Sequence, residues 1–253
     1  MTELESARVY TDFHHKLPPH PGSEWTRFVC ISDTHSRVFP VPPGDVLLHA
    51  GDLSSWGSLD ELRPTVEWLK SLEHPVKIMI AGNHDLCLDE QWGLQTYGIN
   101  PDDIRHARAY VRSDAGLHYL EYEAFQFTAP SGRTWKVYGS PAAPIHVQGA
   151  FQYGTSEEAR AIYDRIPLDT EILVTHTPPF MTQDRTRKGK NAGCQILASA
   201  LQQLPECRLH VFGHIHEANG AQTDTDASGG TGRVFVNAAV ASHGNAIVVD
   251  LKN

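Results

Sequence analysis

Five short clusters in the chain combine carboxylates, imidazoles and one carboxamide in ways suited to metal chemistry. They are Asp33-Thr34-His35, Gly51-Asp52, Gly82-Asn83-His84-Asp85, Thr175-His176 and Gly213-His214-Ile215-His216. Oxygen and nitrogen donors with no thiolate among them suit Mn, Fe, Zn or Co. In Asp33-x-His35 and His214-x-His216 the i, i+2 spacing puts both side chains on one side of an extended segment. Glycines before Asp52, Asn83 and His214 permit tight turns and close approach of another backbone. Each cluster alone is ordinary: Gly-Asp is turn chemistry, and a histidine ahead of Thr177-Pro178-Pro179 reads as a hydrogen-bonded loop residue. Their order is not ordinary, because each follows directly on an apolar run.

Those runs are the elements that must position the clusters. Residues 27–32, 45–50, 76–81, 171–175 and 208–212 are short and β-rich, and each stops at its polar cluster. Apolar residues at Leu62, Val66, Leu69 and Leu72 predict a helix over 59–72. Further helices are predicted at 101–112, opened by Asn100-Pro101, at 156–165, with Glu157 and Glu158 in the first turn, and at 192–204. Segments 117–127 and 134–138 read as antiparallel strands, and 234–237 and 246–251 close the chain as strands. Strands alternating with helices predict a layered α/β fold, in which the carboxyl ends of strands gather at one edge and form a ligand site. Residues 1–24, with His14-His15-Lys16 and Pro18-Pro19-His20-Pro21-Gly22, read as an N-terminal arm. Residues 25–253 read as a single domain, with no internal repeat and no dividing linker.

Composition narrows the classes. At 253 residues and 40% apolar content, the chain can bury a core without a disulfide or zinc staple. Lys+Arg 21 against Asp+Glu 30 gives −9, which weighs against a partner that is a nucleic-acid polymer. A small phosphorylated substrate stays open, because metal ions supply local positive charge. No apolar run approaches the roughly 18 residues of a membrane span, and the first residues lack the basic start and apolar stretch of a signal peptide. Cys30, Cys87, Cys194 and Cys207 show no CxxC spacing and read as reduced thiols of a cytoplasmic protein. Oligomeric state is left open.

The order D-x-H, G-D, G-N-H-[DE], H, G-H-x-H, complete from Asp33 to His216, resembles that of the calcineurin-like metallophosphoesterases. The stretch Arg27-Phe28-Val29-Cys30-Ile31-Ser32-Asp33-Thr34-His35 is similar to the opening strand of the small metallophosphoesterase-domain-containing, fetal brain protein-like group. Leu209-His210-Val211-Phe212-Gly213-His214-Ile215-His216 is similar to that group's last motif, and Val137-Tyr138-Gly139-Ser140-Pro141 also matches. One branch of the group lacks the first histidine of the final motif; here it is kept, as His214. The resemblance implies a four-layer α/β/β/α sandwich holding two divalent metal ions, with Mn favoured and Fe, Zn, Co or Mg as alternatives. It places Asp33, His35 and His216 on the first metal, Asn83, His176 and His214 on the second, and Asp52 between both. His84 would contact the phosphate and protonate the leaving oxygen, and Asp85 would support the ligands rather than act as a base.

Within that resemblance the substrate narrows. Gly51-Asp52-Leu53-Ser54-Ser55-Trp56-Gly57 departs from the Gly-Asp-x-Val-Asp-Arg-Gly of the protein Ser/Thr phosphatases. Ser55 stands where purple acid phosphatases carry an iron-binding tyrosine. Gly-Asp-Leu-Ser is more similar to the class III cyclic-nucleotide phosphodiesterases. The expected activity is therefore hydrolysis of small phosphodiesters, cyclic-nucleotide-like ones favoured. The alternatives are a small-metabolite phosphomonoesterase and a nucleotide-binding regulatory protein with weak turnover. Arg185-x-Arg187-Lys188-x-Lys190, close after His176, offers Arg187 and Lys188 as substrate-binding residues, against a reading as solvated surface. His49 and His210, inside strand runs, read as packed. Trp56, Trp68, Trp92 and Trp135 read as core, with base stacking the alternative.

Overall fold

The computed structural model describes residues 2–13, 17–91, 98–225, 232–242 and 245–253. One sheet contains β1 (Thr2–Leu4), β2 (Ala7–Tyr10), β3 (Trp25–Ile31), β4 (Val46–His49), β5 (Val76–Met79), β6 (His118–Tyr119) and β15 (Ile247–Lys252). Its order is β1-β2-β15-β3-β4-β5-β6. Strands β3 to β6 are parallel, and β15 runs antiparallel to both β2 and β3. The other sheet contains β7 (Glu123–Thr128), β8 (Thr134–Ser140), β11 (Ile172–Thr175), β12 (Leu209–Phe212), β13 (Gly220–Asp224) and β14 (Arg233–Asn237). It is ordered β13-β14-β12-β11-β8-β7, with a parallel centre and an antiparallel strand at each edge. A short parallel pair, β9 (Ala143–Pro144) and β10 (Gln152–Tyr153), stands apart.

The period-2 alternation of side chains builds the layers. Phe28 and Cys30 of β3 join Trp135, Val137, Ile172, Val174 and Leu209 in a core between the two sheets. There the Phe28 and Trp135 rings meet edge to face at 5.5 Å. The alternate residues of β3, Val29 and Ile31, point the other way and pack with Leu62, Val66 and Leu69 of α1 (Leu59–Ser71) and Ala107 and Val111 of α2 (Pro101–Val111). On the far side of the second sheet, Tyr138, Leu173, Phe212 and Phe235 pack against α3 (Ser156–Tyr163) and α4 (Gln195–Leu201). Strands buried on both faces read as continuous apolar runs, as 28–31, 46–48 and 172–174 do. The expected α/β/β/α sandwich is thus the observed architecture.

Within the stretch read as an N-terminal arm, Thr2–Leu4 and Ala7–Tyr10 are strands β1 and β2. Strand β2 pairs with β15, Tyr10 opposite Val248 and Ala7 opposite Leu251, so the first described residues are part of the first sheet. Ala7 and Val9 enter the inter-sheet core, an alternation that the charged residues around them conceal. Even the proline-rich stretch is tied down. The buried Arg27, paired with Asp250 at 2.7 Å, donates its guanidinium N–H groups to the carbonyls of Pro18 and Pro19. His14-His15-Lys16 lies outside the described residues. Helix α4 is shorter than predicted because Ala192 and Gly193 donate their N–H groups to Asp184 instead, leaving Cys194 as the cap.

Candidate metal centre

The parallel strands deliver all five clusters to one edge, and the backbone there is bent to do it. Asp33, His35, Asp52 and His214 have φ of 57°, 46°, 55° and 67°, a left-handed conformation costing on the order of 1–3 kcal/mol each. Hydrogen bonds hold these turns to one another. Asp33 N–H donates to the Gly51 carbonyl at 2.9 Å, His35 N–H to the Asp52 carbonyl at 3.0 Å, and Gly213 N–H to the His176 carbonyl at 3.0 Å. Approach is so close that a Cβ on Gly82 would collide with the Asp52 carboxylate, and one on Gly213 with that of Asp33.

The side chains converge in two groups. Asp33, His35, Asp52 and His216 each offer a donor atom, all within 4.8 Å of one another. Within this group His216 Nε2 lies 3.1 Å from Asp33 Oδ1 and 3.2 Å from His35 Nε2. In the second group His176 Nε2 is 3.0 Å from Asn83 Oδ1, and the His176 and His214 rings are 5.0 Å apart. Asp52 stands between the groups: Oδ2 is 3.8 Å from His35 Nε2 and Oδ1 is 3.4 Å from His176 Nε2. Asp33 also accepts the backbone N–H of His214.

Electrostatics favour a cation here. Asp33 and Asp52 are buried, and among the described residues their charged neighbours within salt-bridge distance are histidines, not Lys or Arg. Burial works against ionisation of Asp52, but His176 beside it wins and holds the carboxyl well below the usual range. Asp33 is likewise lowered, against burial, by its bond with His216 and the charge of His176. Burial would lower His176, yet the Asp52 carboxylate lifts it to about 9. His216 is raised through Asp33, whereas burial carries His35 down and takes His214 to about 4. Two buried carboxylates therefore draw protons onto two of the imidazoles, where divalent ions would serve better. The donor set is all oxygen and nitrogen, and it fits such ions.

Backbone carbonyls aim the imidazoles, a common way of fixing the nitrogen presented to a metal. The Nδ1 atoms of His35, His84 and His176 lie 3.3, 2.7 and 2.9 Å from the carbonyls of Ser54, Ser55 and Ala50, and the Nε2 atoms of His35 and His176 face the other donors. These main-chain partners leave no signal in a sequence. Asp85 accepts four hydrogen bonds, from the N–H groups of Leu53, Ser54 and Gly82 and from the Ser54 hydroxyl, and so clamps the Asp52 turn to the Asn83 turn. Burial and the neighbouring Asp52 push its carboxyl up to about 6.

Arg187 and Lys188 are both exposed. The Arg187 N–H donates to Glu217, the residue after His216, which seats the basic loop beside the centre; no contact of the Lys188 side chain with the ligand set is found among the described residues. His49 is fully buried, 3.0 Å from the Thr34 hydroxyl, and His210 packs against Phe212. Trp135 is core, but Trp56 is 78% exposed, contrary to the reading as core, because its segment caps α1 outside the packed layers. Trp92 lies outside the described residues. All four cysteines are buried free thiols. Among the described residues no helix is long and apolar enough to cross a membrane.

Residues 10–218 match the calcineurin-like phosphoesterase family. The chain is 36% identical over 239 residues to human metallophosphoesterase domain-containing protein 1, covering 89% of this chain and 69% of that protein. It is 32% identical over 231 residues to a UPF0046 protein of Caenorhabditis elegans, covering 86% and 76%. A solved crystal structure aligns with TM-score 0.58 at 14% identity, over 84% of this chain and 90% of its own, a likeness of fold.

Proposed function

The chain belongs to the calcineurin-like phosphoesterase family, and on that footing we propose that this metal-dependent phosphoesterase hydrolyses small phosphodiesters with nucleotide-like substituents. The observation that carries the reading is the placement of Asp52, with one oxygen toward His35 and the other toward His176. A carboxylate so placed would bridge two ions, one held by Asp33, His35 and His216, the other by Asn83, His176 and His214. Mn is favoured, with Fe, Zn, Co or Mg as alternatives. Two divalent ions, when bound, supply Lewis-acid charge and a nucleophilic oxygen near neutral pH.

The chain's own residues do the rest. His84, its Nδ1–H held by the Ser55 carbonyl, would use Nε2 to pass a proton to the leaving oxygen as the ester P–O bond breaks and a water oxygen bonds to phosphorus. Asp85 holds the two turns in register. Arg187 and Lys188, on the loop joined to Glu217, would meet outlying phosphate oxygens. The negative net charge supports a small substrate over a nucleic-acid polymer, and four free thiols support a cytoplasmic setting.

The test is turnover of an aryl phosphodiester beside the matching aryl phosphomonoester, with and without added manganese. Metal-dependent turnover with preference for the diester is the expected result. A preference for the monoester would replace the diesterase reading.

A further inference from the structure

The exposure of Trp56 calls for a cause. An indole left in water forgoes a large apolar burial. Trp135 is wholly buried and Trp25 and Trp68 are partly covered, while Trp56 is 78% exposed. Both chain neighbours of Trp56 touch His84. The Ser55 carbonyl lies 2.7 Å from His84 Nδ1, and a Cβ on Gly57, which has φ of 78°, would lie 2.7 Å from the His84 carbonyl.

The backbone between them is pinned. Trp56 N–H donates at 3.0 Å to Glu61 Oε2, and Glu61 completes the capping box with Ser58 at the start of α1. Gly57 in turn accepts the Cys87 N–H at 2.9 Å. An exposed aromatic ring on a rigid segment, next to a proton donor, is built like a stacking surface. Every nucleobase has a π-face that such a ring accepts.

We propose that Trp56 is the platform on which a planar heteroaromatic leaving group stacks, and that the leaving alcohol is therefore a nucleoside. The inference rests on the phosphoesterase reading in one respect: His84 protonates the leaving oxygen, so the leaving group departs on the His84 side, and the Ser55 carbonyl that precedes Trp56 is the one that holds His84. It deepens that reading by naming the substituent of the ester that is recognised, the base. Trp56 acts on specificity, not on the bond that breaks.

The test compares adenosine 2′,3′-cyclic phosphate with glycerol 1,2-cyclic phosphate, which presents the same cyclic diester without a base. In Trp56→Ala the KM ratio of the glycerol to the adenosine ester should fall by about 10-fold, within the span of base–aromatic stacking. Trp56→Phe, which keeps a ring, should restore most of it. An unmoved ratio in Trp56→Ala overturns the proposal. A second readout needs no turnover: adenosine monophosphate added to the metal-loaded protein should quench indole emission, and Trp56→Phe should lose that component. A quench of equal size in Trp56→Phe overturns the proposal as well. If neither ester is turned over yet the Trp56-dependent quench is present, stacking stands and the hydrolytic reading falls.

Discussion

The backbone N–H of His84 donates to Asp52 Oδ1 at 2.9 Å. The proposed proton donor and the carboxylate proposed to join the two metal sites are thus fixed to each other by main chain, and substitution of either side chain tests a different function at one shared position.

Replacing Asp52 with Asn keeps a similar shape and removes the charge that both histidine groups share. Wild-type protein should bind about two divalent ions per chain by elemental analysis, and Asp52→Asn should lose metal at both sites. Full occupancy in the mutant would remove the bridging role.

His84→Ala should keep the metals and the fold. The rate should drop by about 10²–10⁴ for an alkoxide-like leaving group and by less for nitrophenolate, which departs with little help from a proton. Equal losses on the two substrates would assign His84 to holding phosphate instead.

Proton and metal should compete at His176. Its folded pKa of about 9 lies above the ordinary 6.5, so in metal-free protein its stabilising contribution is complete below 6.5 and is lost as pH rises through 9. An ion taking Nε2 must displace that proton, so affinity should rise by about tenfold per pH unit over this window for a single displaced proton. Calorimetric titration with Mn²⁺ in buffers of different ionisation heat counts the protons released; zero release would contradict the assignment.

Asp85→Ala leaves the N–H groups of Leu53, Ser54 and Gly82 without their acceptor. Stability should fall by about 1–3 kcal/mol and metal affinity by about 10–100-fold, with Asp85→Asn intermediate. Thermal melts of metal-free and metal-loaded protein separate the two effects, and unchanged metal affinity would confine Asp85 to folding.

Arg187→Ala combined with Lys188→Ala should raise KM several-fold and leave Tm in place, since both side chains are exposed. An unchanged KM on every phosphoester tried would return these residues to solvated surface.

The polar clusters at the strand ends were legible in the sequence because their signal is local. An apolar run that stops at Asp33, Asp52, Asn83, His176 or His214 marks a strand and its end together, and parallel strands bring such ends to one edge. The family resemblance added the assignment to two metals and the four-layer sandwich. Three things were settled only by tertiary structure. Strand β2 finds its partner in β15, with Tyr10 opposite Val248, and no local pattern announces a pairing across nearly the whole chain. The carbonyls of Ala50, Ser54 and Ser55 aim the imidazoles, yet every residue has a carbonyl, and only folding decides which one faces a histidine. Trp56 sits in a loop without periodicity, so its type argued for the core. The turn pinned at Glu61 and Gly57 left its ring in solvent.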